Sequence, residues 1–106
     1  MMAVRAFEFR TPLKLEEIME KLMALGPWRW QVRDSETYDD YLATLPDPTH
    51  TKTQIIPDGE RFVVNIYYND EYKKPSLSFD EIQRIVLDRL LPAINATGIK
   101  DTDNLE

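Results

Sequence analysis

The sequence predicts an α+β fold: a two-layer sandwich with a mainly antiparallel sheet of about four strands and two helices on one face. Two stretches with apolar residues at helical spacing predict the helices, and four alternating segments predict the strands, in the order β-α-β-β-β-α. A ferredoxin-like variant is the alternative. It needs a last strand, for which only a weak segment near Ile99 is available.

The first strand is expected over residues 4–9, where alternation turns Phe7 and Phe9 toward the core. Thr11-Pro12 predicts the start of the first helix, because threonine is a good N-cap and proline fits the first helical position. Gly26-Pro27 predicts its end. The apolar stripe of this helix consists of Leu15, Ile18, Met19, Leu22, Met23 and Leu25.

Residues 28–34 form a tryptophan-rich segment that is predicted to be the second strand. Its core face consists of Trp28, Trp30 and Val32. Its opposite face consists of Arg29, Gln31 and Arg33. Two planar guanidinium groups on an open face suit a carboxylate or phosphate ligand. A solvated face with cross-strand ion pairs is favoured over this binding surface, because antiparallel sheets commonly leave one face polar and wet. Glu8 is the obvious partner of the two arginines in that case.

An acidic insert is predicted over residues 34–51, which carry five carboxylates and no lysine or arginine. Ser35 could cap a short helix within it, with one side formed by Tyr38, Tyr41, Leu42 and Leu45. The insert lacks the glycine and closing glutamate of an EF-hand loop, so a solvated loop is favoured over a cation site. Its charge and tyrosines also suit a basic protein partner.

A hairpin and a second helix complete the predicted fold. Strands over 52–56 and 61–68 flank the turn Pro57-Asp58-Gly59. The sequence from Ser78 to Glu81 is a capping box, and an apolar stripe continues from it to Leu90. Pro92 is expected to kink or restart the helix.

The chain is predicted to be a single domain over residues 1–104, with a frayed tail over 100–106. Leu105-Glu106 matches a dipeptide common at cloning junctions, and we exclude it from the fold. The sequence shows neither a signal peptide nor a transmembrane segment, and we expect a cytoplasmic location.

Composition narrows the function classes. The 106 residues include 13 basic and 19 acidic ones, giving a net charge of −6, and there is no cysteine. Disulfides, thiol catalysis and thiolate zinc sites are therefore excluded, and the acidic balance argues against nucleic-acid binding. We expect no cofactor, no metal and no membrane contact.

Candidate binding residues are few, and none belongs to a catalytic motif. They are Arg29, Arg33, Tyr38, Tyr41, His50 and Tyr67. His50 is the single histidine, and without a nucleophile signature an incidental surface or hinge position is favoured for it.

Binding rather than catalysis is the leading prediction for the function. The simplest version is a small protein-interaction domain that self-associates as a homodimer through its open sheet face. An acidic inhibitor or immunity-like protein for a basic partner is one alternative. A small-ligand-binding protein or enzyme with a pocket near the acidic insert is the other. Convergence of Arg29, Arg33 and His50 in one concavity would favour an enzyme.

Overall fold

The computed structural model describes residues 1–36 and 39–104 and contains both strands and helices. The elements in chain order are β1 (Met2–Arg10), α1 (Leu15–Leu25), β2 (Trp30–Arg33), β3 (Tyr41–Thr44), β4 (Lys52–Asp58), β5 (Arg61–Asn69), α2 (Phe79–Ile85), a π-helical segment (Val86–Leu90), α3 (Leu91–Ala93) and β6 (Thr97–Thr102). Within the described residues, six strands form one sheet in the order β2-β3-β4-β5-β1-β6. All neighbouring strands are antiparallel, which confirms the predicted α+β class with an antiparallel sheet.

The core lies between one face of the sheet and the helices. Phe7 pairs with Val64 and Phe9 with Phe62, so these four side chains share that face. The rings of Phe9 and Phe62 stack with centroids 5.5 Å apart. The helices cover this face with fully buried side chains that include Ile18, Leu22, Ile82, Val86 and Leu90. Hydrophobic burial of this layer is the main stabilising contribution to the fold.

The sheet has two strands more than predicted, and the first of them is β3. It replaces the short helix predicted in the acidic insert, because Leu42 pairs with Ile55 of β4 and with Val32 of β2. A short apolar run fits both helical and strand periodicity, and here cross-strand pairing favours the strand.

The other additional strand is β6, in the segment near Ile99 where the sequence left a last strand open. Residues 100–102, predicted as part of a frayed tail, pair with β1 instead. Arg5 fixes this edge by donating to Asp101 Oδ1 at 3.0 Å and to Gln83 Oε1 of α2 at 2.5 Å. Four strands separate α1 from α2, so the ferredoxin-like order, which has two, is not matched.

The predicted start of the first helix is wrong by several residues. Helix α1 begins at Leu15, and Glu17 accepts a hydrogen bond from the Lys14 amide at 3.0 Å. The Thr11 hydroxyl instead donates to the Ile94 carbonyl at 2.6 Å and accepts from the Leu13 amide at 3.2 Å. It therefore ties the end of β1 to the last helical turn and does not cap a helix.

The hairpin turn is shorter than predicted. Pro57 and Asp58 belong to β4, and Gly59 with Glu60 forms a two-residue turn in which Gly59 has φ 64°. Glycine accepts this left-handed conformation without strain. The Asp58 carboxylate closes the turn on Arg61 at 2.8 Å.

The second long helix changes its winding before Pro92. After α2, the Leu91 amide donates to the Val86 carbonyl five residues back, which is π-helical geometry. Pro92 then lies in the first turn of α3, and it has no N–H to donate back to the π-helical segment. No helix within residues 1–36 and 39–104 has both the length and the apolar composition to span a bilayer.

The capping box at the start of α2 is formed as predicted, and it offers a test of the fold. The Ser78 hydroxyl accepts from the Glu81 amide at 3.2 Å, and Glu81 Oε1 accepts from the Ser78 amide at 3.4 Å. Ser78→Ala is expected to lower the free energy of unfolding by about 1 kcal/mol, measured by urea denaturation. Ser78→Asp keeps an acceptor and should stay within about 0.5 kcal/mol of the original protein. Equal losses in both variants would contradict a capping role.

Candidate binding surface

The face of the sheet turned away from the helices has no helix packed on it in the described part of the chain. We call it the open face. Strand register and alternation place these residues on it: Met2, Val4, Ala6, Glu8 and Arg10 of β1; Gln31 and Arg33 of β2; Tyr41 and Ala43 of β3; Lys52, Gln54, Ile56 and Asp58 of β4; Arg61, Val63, Asn65, Tyr67 and Asn69 of β5; Thr97, Lys100 and Thr102 of β6. Arg29, just before β2, extends the same side by alternation.

An uncharged row crosses the open face from one edge of the sheet to the other. It consists of Gln31, Ala43, Gln54, Asn65, Ala6 and Thr102, each paired in register with the next. Two members are alanines, and Asn65 in the middle is fully buried. Both alanines are buried as well, so the exposed area of the row comes from Gln31, Gln54 and Thr102.

Ion pairs cover one side of the row. The Glu8 carboxylate lies 3.2 Å from Arg61 and 3.9 Å from Lys100, and Arg61 also contacts Asp58 at 2.8 Å. These contacts join β1, β4, β5 and β6 across the open face. Val63 is fully buried in this region, which fits shielding by the longer charged side chains around it.

Three cations on the other strands have no such partners. Within residues 1–36 and 39–104, no carboxylate lies within ion-pair distance of Arg29, Arg33 or Lys52. The Lys52 ammonium lies 4.5 Å from the centre of the Tyr67 ring, in a cation–π contact. The predicted pairing of Glu8 with the two arginines is wrong, because β1 is fifth and β2 first in the strand order.

The structure divides the predicted binding residues between two places. Arg29 and Arg33 are exposed and Tyr41 and Tyr67 half-buried on the open face. Tyr38 lies outside the described residues. The structure places His50 away from this face.

His50 is buried in the structure, so the predicted surface or hinge position is wrong. Only 3 % of it is exposed, and its ring stacks on Trp28 with centroids 4.1 Å apart and planes at 21°. Trp28 and Trp30 are both buried, as predicted for the core face, although β2 begins only at Trp30. The aromatic contact explains the burial: neutral imidazole presents an apolar ring to the indole.

The His50 ring is held in its neutral form. Neither ring nitrogen has a hydrogen-bond partner within the described residues. Burial lowers the pKa of His50 from its ordinary 6.5 to about 4, against the attraction of nearby Asp47. Burial alone would raise the pKa of Asp47. Two hydrogen bonds from Thr49 stabilise the carboxylate and keep this pKa below its ordinary value. An imidazole in this state does not supply a proton near neutral pH.

A concavity of about 490 Å³ lies beside His50, between residues 46–51 and 69–75. The Pro48 and Thr49 carbonyls accept hydrogen bonds from the amides of Ser76 and Leu77, both at 3.0 Å, which fixes the loop behind it. Arg29 and Arg33 do not line this concavity. The convergence that would indicate an enzyme is therefore not formed by these three residues.

The described residues of the acidic insert form no group of metal ligands. Asp39 and Asp40 border a second concavity of about 560 Å³, together with Leu15 and Val32. A hydrogen bond with Asp34 and repulsion between the two carboxylates raise the pKa of Asp40. Within the residues that the structure describes, no three histidine, aspartate or glutamate side chains are grouped to hold an ion.

Sequence reasoning missed the part of the open face that β4 supplies. Alternation within residues 52–56 already separates Lys52, Gln54 and Ile56 from the core residues Thr53 and Ile55. What the sequence did not contain was the register that aligns Gln54 with Asn65 and Ala43.

Comparisons with protein-family models, with curated protein sequences and with solved structures found no match to this chain. The functional argument therefore rests on the geometry of the open face and of the His50 region.

The depressed pKa of His50 predicts a specific pH dependence of stability. The unfolded chain binds a proton at His50 near pH 6.5, whereas the native state does so only near pH 4. The stability that neutral His50 contributes is therefore complete above pH 6.5. As the pH falls toward 4 this contribution is lost, which lowers the free energy of unfolding by at most about 3 kcal/mol. His50→Phe keeps a ring on Trp28 and removes the titration, so the free energy of unfolding should vary much less over this range.

Urea denaturation at half-unit pH steps from 4 to 7 measures this effect in both proteins. Near pH 7, His50→Phe should be at least as stable as the original protein, because two unpaired buried nitrogens are removed. Parallel pH profiles for the two proteins would show that His50 is not the titrating group.

Proposed function

We propose that this protein is a protein-interaction domain and that the open face is its contact surface. The observation that carries the proposal is the uncharged row, which runs across all six strands with charged residues on both sides of it. Protein interfaces have this anatomy: the centre is depleted of charge, and the polar rim stays in water.

The side chains of the open face suit contact with another protein. Tyr41 and Tyr67 are half-buried, so their rings are already held in place and lose little freedom on binding. Gln31 and Gln54 are half-buried as well, and each amide both donates and accepts hydrogen bonds. A flat face of this kind fits a protein surface better than a small molecule, which prefers an enclosed pocket.

A different protein is a better occupant than a second copy of the chain. In a two-fold dimer the same patch meets itself. The open face carries the unpaired cations Arg29, Arg33 and Lys52, so two copies would bring like charges together. Charge repulsion of this kind weighs against the face-to-face homodimer.

Site-specific crosslinking tests the proposal with the protein in its own cell extract. A benzophenone amino acid replaces Gln54, which lies in the uncharged row, and, in a second protein, Glu20, which is exposed on α1. The expected result is a discrete heteromeric adduct from position 54 and none of that mass from position 20. Addition of Gln31→Glu places a negative charge in the row and should reduce the adduct at least tenfold.

Three results would overturn the proposal. One is equal crosslinking from the sheet and helix positions, and another is an adduct insensitive to Gln31→Glu. The third is crosslinking only between copies of the chain, which would favour the homodimer. Denaturation midpoints of all variants establish that each is folded.

A further inference from the structure

The charged residues of the chain are separated between the open face and the rest of the molecule. Among the described residues, the open face holds six of the 13 basic residues and two of the 18 acidic ones. The other described residues include seven basic and sixteen acidic ones. A protein of net charge −6 therefore presents a locally basic surface. The six basic residues are Arg10, Arg29, Arg33, Lys52, Arg61 and Lys100, of which Arg10 lies 3.6 Å from Glu60.

From this separation we infer that the partner of the open face presents an acidic segment to it. This inference rests on the proposed function and names the chemistry of the partner. Glu8 and Asp58 already neutralise Arg61. Glu8 also lies 3.9 Å from Lys100. Arg29, Arg33 and Lys52 are the cations left for a ligand, and they lie on the β2 and β4 strands. Carboxylates of the partner would pair with them.

The size of the basic surface favours a short acidic protein segment over a nucleic acid. The molecule measures 36 × 28 × 24 Å, and electrostatic interactions reach only about 10 Å at ordinary salt. An acidic segment that ends at the edges of the open face contacts only the basic charge of that face. A longer polyanion continues past the edges and meets the acidic remainder, which repels it.

The test uses three probes and the intact ¹⁵N-labelled protein. They are a twelve-residue peptide of alternating glutamate and serine, the matching lysine–serine peptide, and a twelve-nucleotide oligothymidylate. The acidic peptide is expected to shift the backbone signals of Gln31, Gln54 and Tyr67 in NMR titrations. Its affinity should fall with rising salt, because the contacts are exposed ion pairs.

Charge-reversal variants separate the open face from net charge. Arg33→Glu with Lys52→Glu should weaken the acidic peptide at least tenfold. Lys21→Glu with Arg84→Glu makes the same change in net charge on the helices, and it should alter the affinity less than twofold. Arg33→Gln with Lys52→Gln provides a milder pair should the first variant be unfolded, and a smaller loss in the same direction is expected.

Each other outcome overturns the inference, and the crosslinking experiment shows whether the proposed function falls with it. Equal weakening by both reversal pairs would mean that net charge, not the open face, attracts the peptide. Preference for the oligothymidylate would assign the face to nucleic acid, and preference for the lysine peptide would assign a basic partner. Absence of peptide binding, with a specific adduct still formed from position 54, would leave an interaction domain whose partner is not acidic. Absence of both would remove the proposed function as well.

Discussion

The pairing of β1 with β5 is the interaction on which the rest of the structure depends. It places the first strand in the interior of the sheet, between β5 and β6, and so brings together segments from both halves of the chain. Phe7 and Phe9 thereby become part of the sheet face on which both long helices pack. Without this strand, the apolar stripes of α1 and α2 would face an incomplete layer, and β6 would have no neighbour.

The same pairing determines what the open face presents. Side chains alternate across a strand, so a slip of one residue would exchange the two faces of β1. The stacked rings of Phe9 and Phe62 oppose such a slip, because it would move Phe9 out of the core and leave Phe62 without this contact. With that register fixed, Ala6 must lie beside Asn65, and the uncharged row is continuous. Core packing on one face and the proposed contact surface on the other are thus consequences of a single alignment.

Periodicity alone predicted the fold class, both helices and the assignment of Trp30, Phe7 and Phe9 to the core face. It failed where two periodicities compete or where a side chain has a distant partner. Residues 41–44 fit a helix or a strand equally well by spacing, and their pairing with β2 and β4 decided. Thr11 has the sequence context of an N-cap, yet its hydroxyl bonds the Ile94 carbonyl, 83 positions away in sequence. Neither outcome is visible without long-range contacts.

The candidate site was predictable to a similar degree, in its parts but not in its arrangement. The alternation of residues 28–34 correctly separated Arg29 and Arg33 from the tryptophans. It could not place them far from Glu8, because strand order is not a property of local sequence. His50 shows the opposite failure: its polar neighbours in sequence indicated a surface position, whereas Trp28, 22 residues earlier, covers its ring.

Stability does not require the cations of the open face to be distributed as they are. Exposed ion pairs contribute only about 0–1 kcal/mol each, so pairing or not pairing Arg33 and Lys52 changes the fold little. The sixteen other carboxylates of the described residues would nevertheless offer partners if charges were mixed at random. The fold instead uses Glu8 and Asp58 beside Arg61 and leaves the β2 side of the sheet basic. Packing fixes the uncharged row, but it does not dictate the charge distribution beside it. This combination distinguishes the open face from an ordinary solvated sheet.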